Sequence, residues 1–417
     1  MSGNLRDRLR RIQQVKQNGG ESRSRNAAPD GDRLLPFERL GWVPAGYLTL
    51  RREITCGKSI ALPGAMPEAA GIVMSGLDSA TAYDDLLFFD LETTGLSGGA
   101  GTVAFLAAFG RLECTGKVGP KTALYRLRIT QYLLLDYPGE GDFVAALLGE
   151  FSHSVKGGGL TGGLTGGVTM VSYNGRCFDS QILKTRCLMN GMSPPEYRHA
   201  DLLYPARRLW KRLLPNCSQG TIEAGIFGID RTGDIPGAMA PDIWFSFLRN
   251  GDAEPLLGIC DHNRRDIEGL ATIFSAMVRI ADDPFAAIET INVDLEMLAL
   301  RWYFAARNGE WGSRLLALAA EQGCHRAALR YALMLLETGK HAEGREWLHK
   351  AAGEDRPLKI QAAALRALAI DSERRLKNAA EALDFSRQAL ELLPEESSLQ
   401  KEFERRVQRL QKKQLFA

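Results

Sequence analysis

Four acidic side chains in this sequence stand where they could hold a divalent cation: Asp90 and Glu92, Asp179, and Asp266, the last with a histidine, His262, four residues before it. Asp90 and Glu92 end an apolar run in LLFFDLETTG (86–95), and such a run closed by Thr-Thr-Gly reads as a buried strand. Side chains alternate along a strand, so both carboxylates leave the same face. Side by side and poorly solvated they repel, and a cation is the usual compensation; an acidic strand end at the surface is the plainer alternative. Asp179 opens a helix expected over 178–192, after a strand VTMVSY (168–173) and a turn at Asn174-Gly175. A carboxylate in a first helical turn is favoured by the helix dipole alone, so this position also has a purely structural reading. His262 and Asp266 fall in a helix expected over 255–280, where a spacing of four puts them on one face, beside an apolar stripe of Ile259, Leu270, Ile273 and Met277.

Converging carboxylates are the donor set of Mg²⁺ or Mn²⁺, hard ions that prefer oxygen. Two such ions roughly 4 Å apart clamp a phosphodiester, one activating water and the other steadying the leaving oxygen. The elements between the acids must bring them together. Strands are expected over 86–92, 102–112 and 122–129 with short connections, an antiparallel meander. A helix over 139–151 follows, with Phe143, Leu147, Leu148 and Phe151 on one face. Meander, helix, strand, helix and a late helix form an α/β order in which the three acidic islands can meet at one end of a sheet.

Other stretches carry weaker signals. YLTLRREIT (47–55) reads as an edge strand or hairpin arm within a region of short strands over 35–85. GGGLTGGLTGG (157–167) reads as a low-complexity loop without chemistry. GLSGGAG (95–101) lacks the Lys-Ser/Thr of a phosphate loop and fits close backbone approach by a substrate strand or by the neighbouring sheet. Asp201 is read as opening a strand, with a supporting role favoured over a place at the metals. Arg207, Arg208, Trp210, Lys211 and Arg212 form a basic run with an aromatic, which suits single-stranded nucleic acid; a cationic helix with Trp210 in the core is an equal reading.

The bulk properties narrow the class. A chain of 417 residues exceeds one ordinary core, so at least two domains are expected. Seven cysteines, odd in number and without a CxxC pair, fit reduced thiols in a cytoplasmic protein better than a disulfide frame or a zinc site. No apolar run approaches the roughly 18 residues of a membrane span, and the charged N-terminus lacks the apolar core of a signal peptide. The net charge of +2 names no partner by itself. Residues 1–34 read as a basic arm, a short amphipathic helix around Leu5, Leu9, Ile12 and Val15 and then a disordered stretch. It is either a nucleic-acid or partner-binding arm or, the favoured reading, a loose tail. After about 285 strand signals cease. RAALRYALMLLETGKHAEGREWLHKAA (326–352) reads as helix–turn–helix about Gly339-Lys340, and 358–394 repeats the theme, with Ala364, Ala367, Ala382 and Ala389 suited to close packing. The period is near that of tetratricopeptide repeats, with a plain helical bundle as the alternative. The basic tail is a capping helix or a basic surface. The expected division is 1–34 arm, 35–85 strands leading into the core, 86–282 catalytic-type domain and 290–417 helical domain.

DLETTGL (90–96) resembles the first motif of the DEDD exonuclease superfamily, which has the ribonuclease H-like fold. SYNGRCFDSQIL (172–183), with Asn174, Phe178 and Asp179, is similar to its second motif, and HNRRD (262–266) to its third. FFDLETTGLSGGAGTVAFLAAFGRLE, HADLLYPARRLWKRLLP, GDIPGAMAPD and HNRRDIEGL resemble the bacterial YprB-type members more closely than the proofreading exonucleases. The resemblance covers about 35–280 well and the helical tail loosely. It implies a ribonuclease H-like mixed sheet flanked by helices, followed by an all-α repeat domain. It implies 3′–5′ hydrolysis of DNA or RNA with two Mg²⁺ or Mn²⁺ ions held by Asp90, Glu92, Asp179 and Asp266. His262 would orient or deprotonate the attacking water. Proofreading members place a His five residues before the last Asp and a Tyr four before; here a His holds the Tyr spacing, turned by about 100° for one helical residue. Asn174, Phe178, Arg207, Arg208 and Lys211 are the substrate-binding candidates, and the helical tail is a candidate protein-binding surface. A structure-specific endonuclease of the same fold and a non-catalytic nucleic-acid scaffold are the alternatives.

Overall fold

The computed structural model of the chain describes residues 31–95, 99, 101–152, 167–305, 309–394 and 398–415. The expected amphipathic helix in the basic arm, and the glycine-rich loop except for Gly167, lie outside the described residues. The disordered stretch that was expected to close the arm overlaps a helix, α1 (Gly31–Glu38). Its anchor is Phe37, fully buried edge-on against Trp42 and Phe247.

Seven strands form one mixed sheet in the order β1-β2-β5-β4-β3-β6-β7. The strands are β1 (Val43–Gly46), β2 (Thr49–Pro63), β3 (Leu86–Thr93), β4 (Ala104–Val118), β5 (Thr122–Leu134), β6 (Thr169–Ser172) and β7 (Arg198–Asp201). The expected meander is present: β3, β4 and β5 pair antiparallel in sequence order. The stretch over 47–55 is a hairpin arm with β1, but its strand runs on to Pro63 and pairs with β5 along most of that length. A bulge between Thr55 and Ser59 hides the alternation that would have marked the second half. On the other flank β6 and β7 run parallel to β3. Asp201 closes β7; it does not open a strand, because the following LLYP already enters a helix.

Helices cover both faces: α2 (Ala70–Val73), α3 (Glu140–Ser152), α4 (Asp179–Met189), α5 (Leu203–Trp210), α6 (Gln219–Phe227), α7 (Ala240–Asn250) and the long α8 (Glu254–Asp282). The alternation of β3 sorts the core. Leu87, Phe89 and Leu91 pack with Phe143 and Leu147 of α3 and Ile182 and Leu183 of α4. Phe88 faces the other way and meets Phe274 of α8 edge to face, with ring centroids 5.4 Å apart. Asp90 and Glu92 share that α8 side of the strand with Phe88.

The remaining helices are α9 (Pro284–Ile288), α10 (Leu295–Ala305), α11 (Glu310–Glu321), α12 (His325–Glu337), α13 (His341–Ala351), α14 (Leu358–Arg374), α15 (Ala379–Leu392) and α16 (Ser398–Leu415). The helical hairpins over 326–352 and 358–394 form as expected, Gly339 turning the first at φ +85°. Ala364, Ala382 and Ala389 are fully buried between helices. One hydrophobic cluster continues from the sheet through Trp210 and α8 into Leu298, Trp302, Leu315 and Leu335. Among the described residues no helix is long and apolar enough to cross a membrane.

Gly76 marks a tight point of this frame. It sits at φ +96°, and a Cβ there would lie 2.4 Å from the carbonyl oxygen of His199 on β7. Gly76→Ala should therefore destabilise the fold by about 1–3 kcal/mol, read as a lower Tm in a calorimetric scan. An unchanged Tm would mean that this loop does not abut β7.

Candidate metal centre

The three acidic islands meet. Asp90, Glu92, Asp179, His262 and Asp266 line one concavity of about 250 Å³, bordered by Tyr173, Asn174, Phe178 and Gly237. Asp90 and Glu92 come from the end of β3, where they lie opposite Ala108 and Leu106 of β4. Asp179 is the first residue of α4, just past β6, and its carboxylate lies so close to Gly175 that a Cβ there would be 2.9 Å from Oδ2. His262 and Asp266 project from successive turns of α8, with Nε2 and Oδ2 3.3 Å apart. The four-residue spacing does not turn the ring away: Nε2 is also 4.0 Å from Glu92 Oε1. Ligand atoms of Glu92, His262 and Asp266 all lie within 4.8 Å of one another.

Asp90 is fixed by a chain of hydrogen bonds that crosses the sheet. Arg52 donates to Gln131 Oε1, Gln131 Nε2 donates to Asn263 Oδ1, and Asn263 Nδ2 donates to Asp90 Oδ2 over 2.7 Å. Gln131 also donates to the Cys260 carbonyl. Gln131 and Asn263 have no exposure, so every link satisfies a buried polar group. The chain leaves Asp90 Oδ1 unclaimed by these donors.

The electrostatics are those of crowded acids. Burial first, and then the field of Asp266, push the Asp90 carboxyl up to about 7, against the opposing hydrogen bond from Asn263. Burial and the neighbouring Asp90 and Asp266 hold Glu92 well above the usual carboxylate range. Burial and Asp90 do the same to Asp179. A group of this kind gains most from an added cation. The donors are carboxylate oxygens with one imidazole, which fits Mg²⁺ or Mn²⁺ and lacks the thiolates of a structural zinc site.

Two residues that sequence reasoning passed over, Asp234 and Arg231, support the centre, and Asp201 has the supporting place expected of it. Asp234, in the loop before α7, accepts from or faces His262 Nδ1 at 2.9 Å and so fixes the ring. Arg231 places Nη1 2.5 Å from Asp266 Oδ1 and holds Glu223 with its other nitrogens. Asp201, buried, accepts from the backbone N–H groups of Asn174, Arg176 and Leu203. It shapes the Asn174 turn, at φ +63°, and does not line the concavity.

The basic run divides. Trp210 is fully buried and donates to the Asn292 carbonyl, which removes it as a stacking ring. Arg212 pairs with Glu296 and Asp294. Arg207 and Lys211 are exposed on or just beyond α5, and Arg208 is half-buried beside Arg301; none of the three lines the concavity. Arg207 is close enough to Tyr173, at the rim, for its charge to act on the phenol. In the 95–101 loop, a Cβ at Gly99 or Gly101 would meet nothing, so neither marks a close approach of the sheet, and Gly99 is favoured by its backbone at φ +112°; residues 96–98 and 100 lie outside the described residues.

Residues 87–278, from β3 through most of α8, match the family described as the RNase_H superfamily, and the mixed sheet with helices on both faces is that fold. Over 206 residues the chain is 37% identical to the uncharacterized protein YprB of Bacillus subtilis (strain 168), an alignment that covers 48% of this chain and 44% of that relative. The chain thus matches less than half the length of this curated relative.

Proposed function

We propose that this chain is a metal-dependent nuclease that hydrolyses phosphodiester bonds of DNA or RNA, working from the 3′ end. The observation that carries the reading is the convergence of four carboxylates and a histidine, from a strand end, a helix start and a crossing helix, in one concavity of a ribonuclease H-like domain. Asp90, Glu92, Asp179 and Asp266 would hold two Mg²⁺ or Mn²⁺ ions. When bound, such ions supply Lewis-acid stabilisation of the charge that develops on the phosphoryl oxygens. His262, held at Nδ1 by Asp234, presents Nε2 to the concavity and takes the proton of the attacking water. Asn174 and Phe178 border the concavity and position the terminal nucleotide, Phe178 by stacking. Arg207 and Lys211, with Arg208 behind them, contact the phosphates of the approaching strand. The helical tail over 290–417 offers a surface for a protein partner or guides the substrate, and a cytoplasmic site of action is in keeping with the free thiols.

The test is cleavage of 5′-labelled single-stranded DNA and RNA, with a free or a blocked 3′ end, in Mn²⁺, Mg²⁺ or EDTA. A metal-dependent ladder that shortens from the 3′ end and stops on the blocked substrate is expected, and the sugar that supports it names the substrate. A discrete internal cut that survives the block would assign an endonuclease. Binding without cleavage in any metal would assign a scaffold.

Asp234→Asn should lower kcat on the order of tenfold while leaving KM for the oligonucleotide little changed, because an outer-shell partner is lost and the substrate contacts are kept. An unaltered kcat would reduce Asp234 to a loop anchor.

A further inference from the structure

The concavity is backed by an ion-pair relay that the reaction as written does not use. Glu223, on α6, has 1% of its surface exposed, a place where a carboxylate is found only when paired. Its partners are Gln219, whose Nε2 donates over 2.9 Å, and Arg231, whose Nε and Nη2 fork onto its two oxygens at 2.5 and 2.8 Å. Burial pushes the Glu223 carboxyl up and the guanidinium pulls it back down; the forked geometry is that of an ion pair, since Arg keeps its proton. The same pairing, with Asp266, raises Arg231 further despite its burial. Room for the Glu223 carboxylate is cleared by Gly269 of α8: a Cβ there would fall 1.6 Å from Oε1. With two nitrogens tied to Glu223, the guanidinium plane has one orientation, and in it Nη1 meets Asp266 Oδ1. The other oxygen, Oδ2, is thereby left toward His262 Nε2, 3.3 Å away.

We propose that Glu223 and Arg231 are positioning residues that fix the Asp266 carboxylate with Oδ1 on the guanidinium and Oδ2 toward His262 Nε2, and so set the affinity of the centre for its divalent cation. This rests on the reading of Asp90, Glu92 and Asp266 as metal ligands. Outer-shell groups commonly act in this way on ligating side chains. Two effects of Arg231 have opposite signs, and this makes the proposal sharp. As a bare positive charge it repels an incoming cation; as the holder of Asp266 it preorganises a ligand. An anchored fork on a buried carboxylate is needed for the second role and superfluous for the first.

The experiment is calorimetric titration of Mn²⁺ into the metal-free full chain, for wild type, Asp90→Asn, Arg231→Lys, Gly269→Ala and the double variant Arg231→Gln/Glu223→Gln. Arg231→Lys keeps the charge and loses the fork. Gly269→Ala substitutes no residue of the centre; its Cβ falls on the buried Glu223 carboxylate and must displace it from its seat, and an unchanged far-ultraviolet circular dichroism spectrum and a cooperative melt show that the variant is folded before it is titrated. The double variant leaves no unpaired buried carboxylate at position 223 while it frees Asp266 Oδ1. Binding that Asp90→Asn abolishes, with Kd raised about tenfold or more in both Arg231→Lys and Gly269→Ala and raised also in the double variant, is the expected result. Unchanged Kd in Arg231→Lys and Gly269→Ala would overturn the positioning role while leaving the metal centre standing. Tighter binding in the double variant would overturn it too, and make Arg231 a competing cation. No Asp90-dependent binding by wild type would remove the metal centre itself and this inference with it.

Discussion

Asp90→Asn should do two things at once: lower the rate of phosphodiester cleavage by a factor on the order of 10³, and raise the thermal stability of the metal-free protein. The first follows from the place of Asp90 beside the other proposed ligands; loss of one preorganised charged group at a reacting phosphate costs factors of roughly 10²–10³. The second follows from its surroundings. The Asp90 carboxyl, raised to about 7 by burial and by Asp266, is penalised in the folded state whenever it is ionised. For a carboxyl whose folded pKa lies above its unfolded value, the native state binds more protons than the unfolded chain over the interval between the two. The associated stability is complete below the unfolded pKa and is lost as pH climbs through the folded value near 7. An asparagine at 90 carries no such penalty, and its amide oxygen can still accept from Asn263. In EDTA at pH 8 the variant should melt at least about 2 °C higher, the shift expected of roughly 2 kcal/mol in a chain of this length, and the advantage should shrink toward pH 5. A fall in Tm at both pH values would mean that the carboxylate is paired by something other than a cation.

Mn²⁺ should stabilise the wild-type protein strongly, and the effect should depend on pH in the opposite sense to the apo stability. A cation that binds the folded state alone adds about 2.7 kcal/mol at a hundredfold excess over its Kd. Binding requires the ionised carboxylates, so protons compete with it. Asp90, Glu92 and Asp179 are all raised, which places the competition near neutrality for Asp90. The Mn²⁺-induced rise in Tm should be full at pH 8, fall through pH 7 and nearly vanish by pH 5. It should be absent at every pH in Asp90→Asn/Glu92→Gln. A shift of equal size in the double variant would place the bound ions elsewhere on the surface.

Much of the fold could be read in the sequence because the signals were local. The apolar run into Asp90, the turn at Asn174-Gly175 and the four-residue spacing of His262 and Asp266 each declare an element and a face. The limits of β2, β4 and β5 were less visible. Beyond Leu112 the side chains of β4 are exposed on both faces, so no alternation marks the strand, and a bulge interrupts β2. The basic run around Trp210 was ambiguous because an amphipathic cationic helix and a nucleic-acid strip share a composition; only the packing of α10 against α5 puts the indole inside. The residues that support the centre were invisible for another reason. Arg231 reaches Asp266 across 35 positions, Asn263 reaches Asp90 across 173, and the Asp234–His262 contact spans 28. Single charged residues in a loop carry no periodicity, and a pairing between distant positions leaves no mark in one sequence. HNRRD already held Asn263 beside His262, and GDIPG held Asp234 in a stretch noted only for its resemblance; those were the signals available.

The most direct test of the centre as a nuclease site is hydrolysis of 5′-labelled single-stranded DNA and RNA by the full chain in Mn²⁺, with EDTA and Asp179→Asn as controls. Asp179 suits this test because it lines the concavity from α4 and makes no part of the Arg231 relay. Metal-dependent cleavage by the wild type, abolished by EDTA and reduced on the order of 10³ or more in a well-folded Asp179→Asn, is the predicted result. Cleavage that persists in EDTA, or that Asp179→Asn leaves intact, would contradict the account.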